Sequence, residues 1–285
     1  MSDLFSSSDD QVPADSPLAD RLRPGSFDEV VGQDHLLGSG PLGRMVAAGK
    51  VKSLIFWGPP GTGKTTMARL LADVGGLTFV QISAIFSGVA DLKKIFEVAR
   101  IRRHNGQGTL LFVDEIHRFN RSQQDSFLPY VEDGTITLVG ATTENPSFEL
   151  NGALLSRMQV LVLRRLDEQA LEKLLARAEA LIGRGLPVTE EARGLLVSLA
   201  DGDGRYLLNM VEVVFDLGSG GREGFRERRE RKGVRGQGVG IRGRLVRGKQ
   251  WHPGVGGVWL GRRSFWFWCS GGRRLMTRIG RDISI

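Results

Sequence analysis

Two stretches of the chain carry side chains whose types and spacing point to chemistry on a phosphate. In SLIFWGPPGTGKTTMARLLAD, Gly58, Gly63, Lys64 and Thr65 fit the pattern G-x-x-x-x-G-K-[ST]. Glycines there let successive backbone N–H groups curl around an anion. The lysine neutralises β and γ oxygens, and the hydroxyl that follows is a ligand for Mg²⁺. Pro59, Pro60, Gly61, Thr62 and Thr66 complete the loop, and a helix starting near Lys64 would aim its positive end at the same anion. In TLLFVDEIHRFNRSQQD, an apolar run from Thr109 ends in Asp114 and Glu115. An isolated Asp-Glu pair is an ordinary way for a strand to end; a phosphate loop about fifty residues upstream gives each carboxylate a task. Asp114 suits the Mg²⁺ shell, with Thr65 as the second metal ligand. Glu115 suits orienting and polarising the water that attacks a γ-phosphate. A kinase needs a base beside a second substrate and a GTPase needs a guanine-reading motif, and neither is found in the chain. Hydrolysis of ATP with Mg²⁺ is therefore the expected reaction.

The elements that must position these groups read as alternating strands and helices. Leu54 to Trp57 is the strand before the phosphate loop; Thr78 to Ser83, Leu110 to Val113, Ile136 to Thr143 and Gln159 to Leu166 are four more. Between the second and third, Val89, Leu92, Ile95, Phe96 and Ala99 repeat at helical spacing and form a packing stripe. Such alternation implies right-handed crossovers and a parallel sheet, with its site at the carboxyl ends of the strands. Beyond Leu166 the pattern is helical. Leu171, Leu174, Leu175 and Ala178 share one face, Thr189 caps a second helix, and DGRYLLNMVEVVFDL forms a third. Three helices after a nucleotide-binding sheet predict a small lid.

A length of 285 residues suggests about two domains, and an apolar content of 41% supplies a substantial core. No apolar run approaches the roughly 20 residues of a membrane span. Residues 1–16 are acidic and serine-rich, which predicts a disordered leader rather than a secretory signal. Cys269 is the only cysteine, so a reducing, cytoplasmic setting is expected. The net charge of +7 belongs to one end of the chain: residues 218–285 hold 17 Lys and Arg against 4 Asp and Glu, and the rest holds 22 against 28. Bulk charge therefore gives no argument that the catalytic body binds nucleic acid.

GPPGTGKTT, LLFVDEIHRFNRSQQDSFLPYVEDGTITLVGATTENPSFELNGALLSR and ADGDGRYLLNMVE resemble the AAA+ ATPases. Within them they resemble the replication-associated recombination protein A family and its Werner-helicase-interacting counterparts, from about Pro17 to Leu217. The resemblance implies an α/β fold, an AAA+ P-loop NTPase with a parallel five-stranded sheet over residues 17–163 and a helical lid over 164–217. It also implies roles. Thr143 matches the polar sensor that helps place the lytic water, and Arg157 the arginine finger that reaches a neighbouring subunit's γ-phosphate. Arg205 matches the lid residue touching the same nucleotide, and Val30 and Val31, in EVVGQ, line the adenine. Each has an ordinary alternative, as a strand cap, surface charges and core valines, and His117 reads as a packing or hydrogen-bonding residue. By the same resemblance the protein would act at stalled replication forks or in recombination-linked repair. Its partners would be single-stranded or forked DNA, single-strand-binding protein and further copies of itself, with no membrane, in a bacterial cytoplasm close to the nucleoid. Clamp-loader subunits and branch-migration motors share this layout and remain an alternative.

From Gly218 the resemblance stops, although the family continues into a helical oligomerisation domain. Of these 68 residues 17 are glycine and 15 arginine, four of the chain's five tryptophans fall here, and no helical or strand period is sustained. A disordered tail is expected. An arginine-glycine segment for nucleic acid and a new folded domain are two readings; a shifted reading frame after about codon 217 is the preferred one, because the break falls inside a family-like helix. On that reading the alternative function is a nucleotide-binding module without its oligomerisation contacts.

Overall fold

Five short apolar runs organise the molecule. The structure, a computed structural model, describes residues 16–220, and the readings attached to the leader and to the tail lie largely outside the described residues. Strands β1 (Leu54–Trp57), β2 (Thr78–Ser83), β3 (Thr109–Asp114), β4 (Thr137–Thr142) and β5 (Gln159–Val162) form one sheet in the order β2-β3-β4-β1-β5. All four pairings are parallel. The central strand β1 and residues 110–113 of β3 are continuously apolar because both faces of the sheet are covered there, whereas the edge strand β2 alternates apolar and polar residues. On one face Ile55, Leu111 and Val113 pack with Leu92, Ile95, Phe96 and Ala99. On the other Leu54, Phe56, Leu110 and Phe112 pack with Met67, Ala68 and Leu71. Gly140, in the middle of β4, has no room for a side chain, since a Cβ would stand 2.6 Å from Ile55 Cδ1 and 2.9 Å from Ile116 Cδ1.

The helices follow in chain order: α1 (Leu18–Arg21), α2 (Pro41–Ala48), α3 (Lys64–Val74), α4 (Val89–His104), α5 (Arg121–Asp125) and α6 (Leu128–Glu132). After them come α7 (Pro146–Glu149), α8 (Gly152–Leu155), α9 (Glu168–Ile182), α10 (Glu190–Ala200) and α11 (Gly204–Gly220). The last three build a core of their own from Leu171, Leu174, Leu175, Ala178, Leu207 and Val211, and Leu18 of α1 joins it. Among the described residues no helix is long and apolar enough to cross a membrane.

Four particulars differ from expectation. The fifth strand ends at Val162, not Leu166, because the chain leaves the sheet there: Leu163 packs in the sheet core and Leu166 in the helical one. Val89 does not join the packing stripe of α4 but is 49% exposed at its first turn, while the other four stripe residues are buried. The approach from Pro17, polar and glycine-punctuated in sequence, contains α1, whose Leu18 N–H donates to Glu212 Oε1 of α11 at 3.0 Å. And α11 runs to Gly220, past Leu217, with Gly218 lying against the ring of Pro187.

Candidate functional site

After β1 the chain crosses over β4 and β3 to reach β2, whereas after β4 it crosses over β1 to reach β5. Connections leaving neighbouring strands in opposite directions open a crevice at their carboxyl ends. The sheet places the phosphate loop, the end of β4 and Asp114 side by side there. Trp57 is in register with Thr142, and Ser83 with Asp114.

The loop is held from behind. Gly58 donates its N–H to Thr142 O at 3.1 Å and packs so close to the exit of β5 that a Cβ would meet Leu163 O at 2.5 Å. Gly61 and Gly63 turn the chain with φ of +67° and +93°, the region that favours glycine, and α3 starts at Lys64. Lys64 is buried, and its Nζ donates to Gly58 O and Pro59 O at 2.7 Å each. Burial lowers the pKa of this ammonium below its ordinary value, while Glu115, Asp114 and Asp203 act to raise it.

Asp114 ends β3, and Glu115 follows in a left-handed conformation, φ 53° and ψ 47°. A non-glycine residue there costs on the order of 1 kcal/mol or more, and such residues concentrate at functional sites. His117 is a hydrogen-bonding residue: its Nδ1 lies 2.9 Å from Thr142 Oγ1 and 3.3 Å from Glu115 Oε2. Thr142 is fully buried, and the exposed Thr143 is the residue that faces the cleft.

The cleft, about 300 Å³, lies between the sheet domain and the helical part. Lys64, Thr65, Asp114, Glu115, Thr143 and Arg205 line it together with loop residues Pro60 to Gly63 and Thr66. Val30 and Val31 line it as well, accompanied by Ala19, Leu22, Leu166, Leu174 and Leu208, an apolar wall that sequence reasoning missed. Val30 packs on the sheet core and Val31 on the helical core, so the pair spans the junction. Their backbone is pinned by buried Gln33, which donates to Arg164 O at 2.8 Å and accepts from Arg164 N at 3.1 Å. Arg205 reaches the cleft from the first turn of α11. There Gly204 N–H donates to Gly61 O at 3.2 Å, and Asp203 caps the helix by accepting from Tyr206 N at 2.8 Å.

Three predicted residues do not line the cleft. Gly58 and Pro59 stand behind the loop and hold Lys64. Arg157 lies on the surface, just beyond α8, where its Nε donates to Glu132 Oε1 at 2.6 Å and its Nη1 to Ala153 O at 2.7 Å. The segment that leads into α8 is held by buried Gln124, which donates to Phe119 O at 2.9 Å and Glu149 O at 3.2 Å and accepts from Asn151 N at 2.7 Å. One amide thus locks the FNRSQQD and FELN segments together ahead of α8.

Residues 54–166 match the family model for the ATPase family associated with various cellular activities (AAA). The chain is 53% identical over 207 residues to Replication-associated recombination protein A of Coxiella burnetii, a match spanning 70% of this chain and 47% of the relative. It is 40% identical over 222 residues to ATPase WRNIP1 of Dictyostelium discoideum, spanning 76% of this chain and 25% of the relative. Among solved structures, the Thermotoga maritima RuvB Holliday junction branch migration motor superposes with a TM-score of 0.59 at 28% identity, over 70% of this chain and 66% of that one. The chain spans about half the length of the first of these relatives and a quarter of the second. It carries an AAA domain over residues 54–166 and resembles Replication-associated recombination protein A.

Proposed function

We propose that this chain binds ATP with Mg²⁺ in the cleft and hydrolyses it in the service of DNA maintenance. The observation that carries the proposal is convergence: Lys64, Thr65, Asp114, Glu115, Thr143 and Arg205 come from four separate regions of the chain and line one cavity. The residues fit the nucleotide. Two positive-φ glycines shape a backbone cradle, and a cation sits at the start of a helix behind it. An apolar wall accepts a base. Among the described residues no cluster of three or more His, Cys, Asp or Glu could hold a metal ion alone. Thr65 and Asp114 fit Mg²⁺, which keeps water and substrate phosphate oxygens in its shell. Bound to the nucleotide, it supplies charge neutralisation at the β and γ oxygens. Glu115 orients and polarises the attacking water, Thr143 fixes that water from the neighbouring strand, and Lys64 and Arg205 hold the phosphates.

The relatives' names extend the proposal. A replication-associated recombination protein and a branch migration motor both point to DNA as the partner. We assign the energy of hydrolysis to work on single-stranded or forked DNA at stalled forks, with single-strand-binding protein as a partner. Arg157, held by Glu132 and away from its own cleft, suits contact with a second copy. The test is binding and turnover of radiolabelled ATP with Mg²⁺ by the full chain and by Lys64→Ala, with and without forked DNA. The parent is expected to bind and hydrolyse ATP, and Lys64→Ala to do neither. Equal binding by the two proteins contradicts the site.

A further inference from the structure

His117 lies two residues beyond Glu115 in a single 3-10 turn, Ile116–Arg118, with its side chain only 7% exposed. Two oxygens approach the same ring nitrogen: Thr142 Oγ1 at 2.9 Å and Glu115 Oε2 at 3.3 Å from Nδ1. Counting protons decides what this contact is. Thr142 Oγ1 accepts the Glu144 N–H at 3.0 Å, and its single proton has two acceptors in reach, Glu144 O at 3.2 Å and the ring nitrogen. The Glu115 carboxylate can only accept, so the arrangement that suits both oxygens has the hydrogen on Nδ1 and the threonine proton on Glu144 O. A hydrogen on Nδ1 bonds Thr142 Oγ1 at 2.9 Å and turns a positive ring edge toward Glu115 Oε2 at 3.3 Å; a bare Nδ1 would set its lone pair against that carboxylate.

We infer that His117 is the positioning residue for Glu115: its Nδ1–H holds the carboxylate in place and ties it to the buried end of β4. The tie is useful because of what lies on either side. Glu115 sits on a left-handed backbone with its carboxylate 27% exposed. Thr142 is fully buried, and the next residue, Thr143, lines the cleft. One ring thus sets the spacing between the group that polarises the water and the group that places it. Small errors in such spacing cost large factors in rate. The inference rests on the proposed role of Glu115 as the residue that activates water.

The test uses the full chain with two substitutions that move one donor. His117→Asn keeps an amide N–H near the position of Nδ1, whereas His117→Gln carries it out toward the position of Nε2. Retention of kcat within about threefold is expected for His117→Asn, and a loss of about tenfold or more for His117→Gln, with ATP affinity within about threefold of the parent in both. Thr142→Val removes the hydroxyl at constant shape and should lower kcat as His117→Gln does. The Thr142→Val/His117→Gln double variant should be no slower than the worse single one, since both break the same chain of bonds. Equal kcat for the Asn and Gln variants, or loss of ATP affinity in step with kcat, overturns the inference. Glu115→Gln separates the two levels of the claim. If Glu115→Gln turns over ATP like the parent, both the role of Glu115 and that of His117 fall. If it is inactive while His117→Gln matches His117→Asn, only the role of His117 falls.

Discussion

Gly61 and Asp203 meet where the phosphate loop touches the helical part, and the contact leaves no room for a methyl group. A Cβ on Gly61 would lie 1.8 Å from Asp203 Oδ1, on a backbone with φ +67°. Gly61→Ala is expected to cost about 1–3 kcal/mol of stability and to weaken ATP binding at least tenfold, measured by calorimetric titration. Unchanged affinity would show that the loop tolerates a shift there. Asp203→Ala removes the opposing carboxylate along with a helix cap, a loss of about 1 kcal/mol by itself. The double variant should bind ATP better than Gly61→Ala alone, because the two changes share one contact. Lys64, Thr65, Asp114 and Glu115 were legible in the sequence because each belongs to a short motif with its own chemistry. Asp203, Leu22 and Leu208 were not: the contact of Asp203 with Gly61, and the place of the two leucines in the cleft wall, arise only from the fold.

At the scale of elements, Glu179 holds the helical part together. It accepts from Arg193 Nη1 at 2.8 Å and from Leu186 N at 2.8 Å, and so ties α9 to α10 and to the loop between them. The hydrogen bond from Arg193, with that from Leu186, holds its carboxyl below the ordinary value of 4.5. A depressed folded pKa contributes stability that is present above the unfolded value and lost as pH falls through the folded one. Glu179→Gln should therefore be less stable than the parent at neutral pH, by about 1–2 kcal/mol. The difference should shrink as pH drops below about 4.5, as read from urea melts across pH. A difference that stays constant down to the acid end contradicts this account. The strands were legible because a buried parallel strand such as β1 is a continuous apolar run, while the edge strand β2 shows in the alternation of TFVQIS. The end of β5 was not, since leaving a sheet is decided by the next packing partner. Helix α1 is a single turn whose anchor, Glu212, is 194 residues away. Gln124 was equally hidden, a polar residue in a polar motif that is 1% exposed in the fold. Gln124→Leu should cost about 2–4 kcal/mol by leaving Phe119 O, Glu149 O and Asn151 N without their partner. A thermal melt within 2 °C of the parent would deny the lock.

For the whole molecule, the geometry divides the labour of catalysis. The cleft gathers the groups proposed to bind a nucleotide and activate water, while Arg157 lies on the surface, paired with Glu132. If Arg157 serves the cleft of another copy, Arg157→Ala should leave ATP affinity unchanged and reduce turnover by about 10³-fold or more. The parent's rate per subunit should also rise with protein concentration. A change below about tenfold argues against that role. The central claim, that this cleft hydrolyses ATP through Glu115, is tested most directly by one comparison. Bound ATP and released phosphate are measured together for the parent and Glu115→Gln at saturating ATP and Mg²⁺ with forked DNA present. The account predicts equal bound ATP in the two proteins and phosphate release at background in the variant alone. Release by Glu115→Gln at the parent's rate would contradict it.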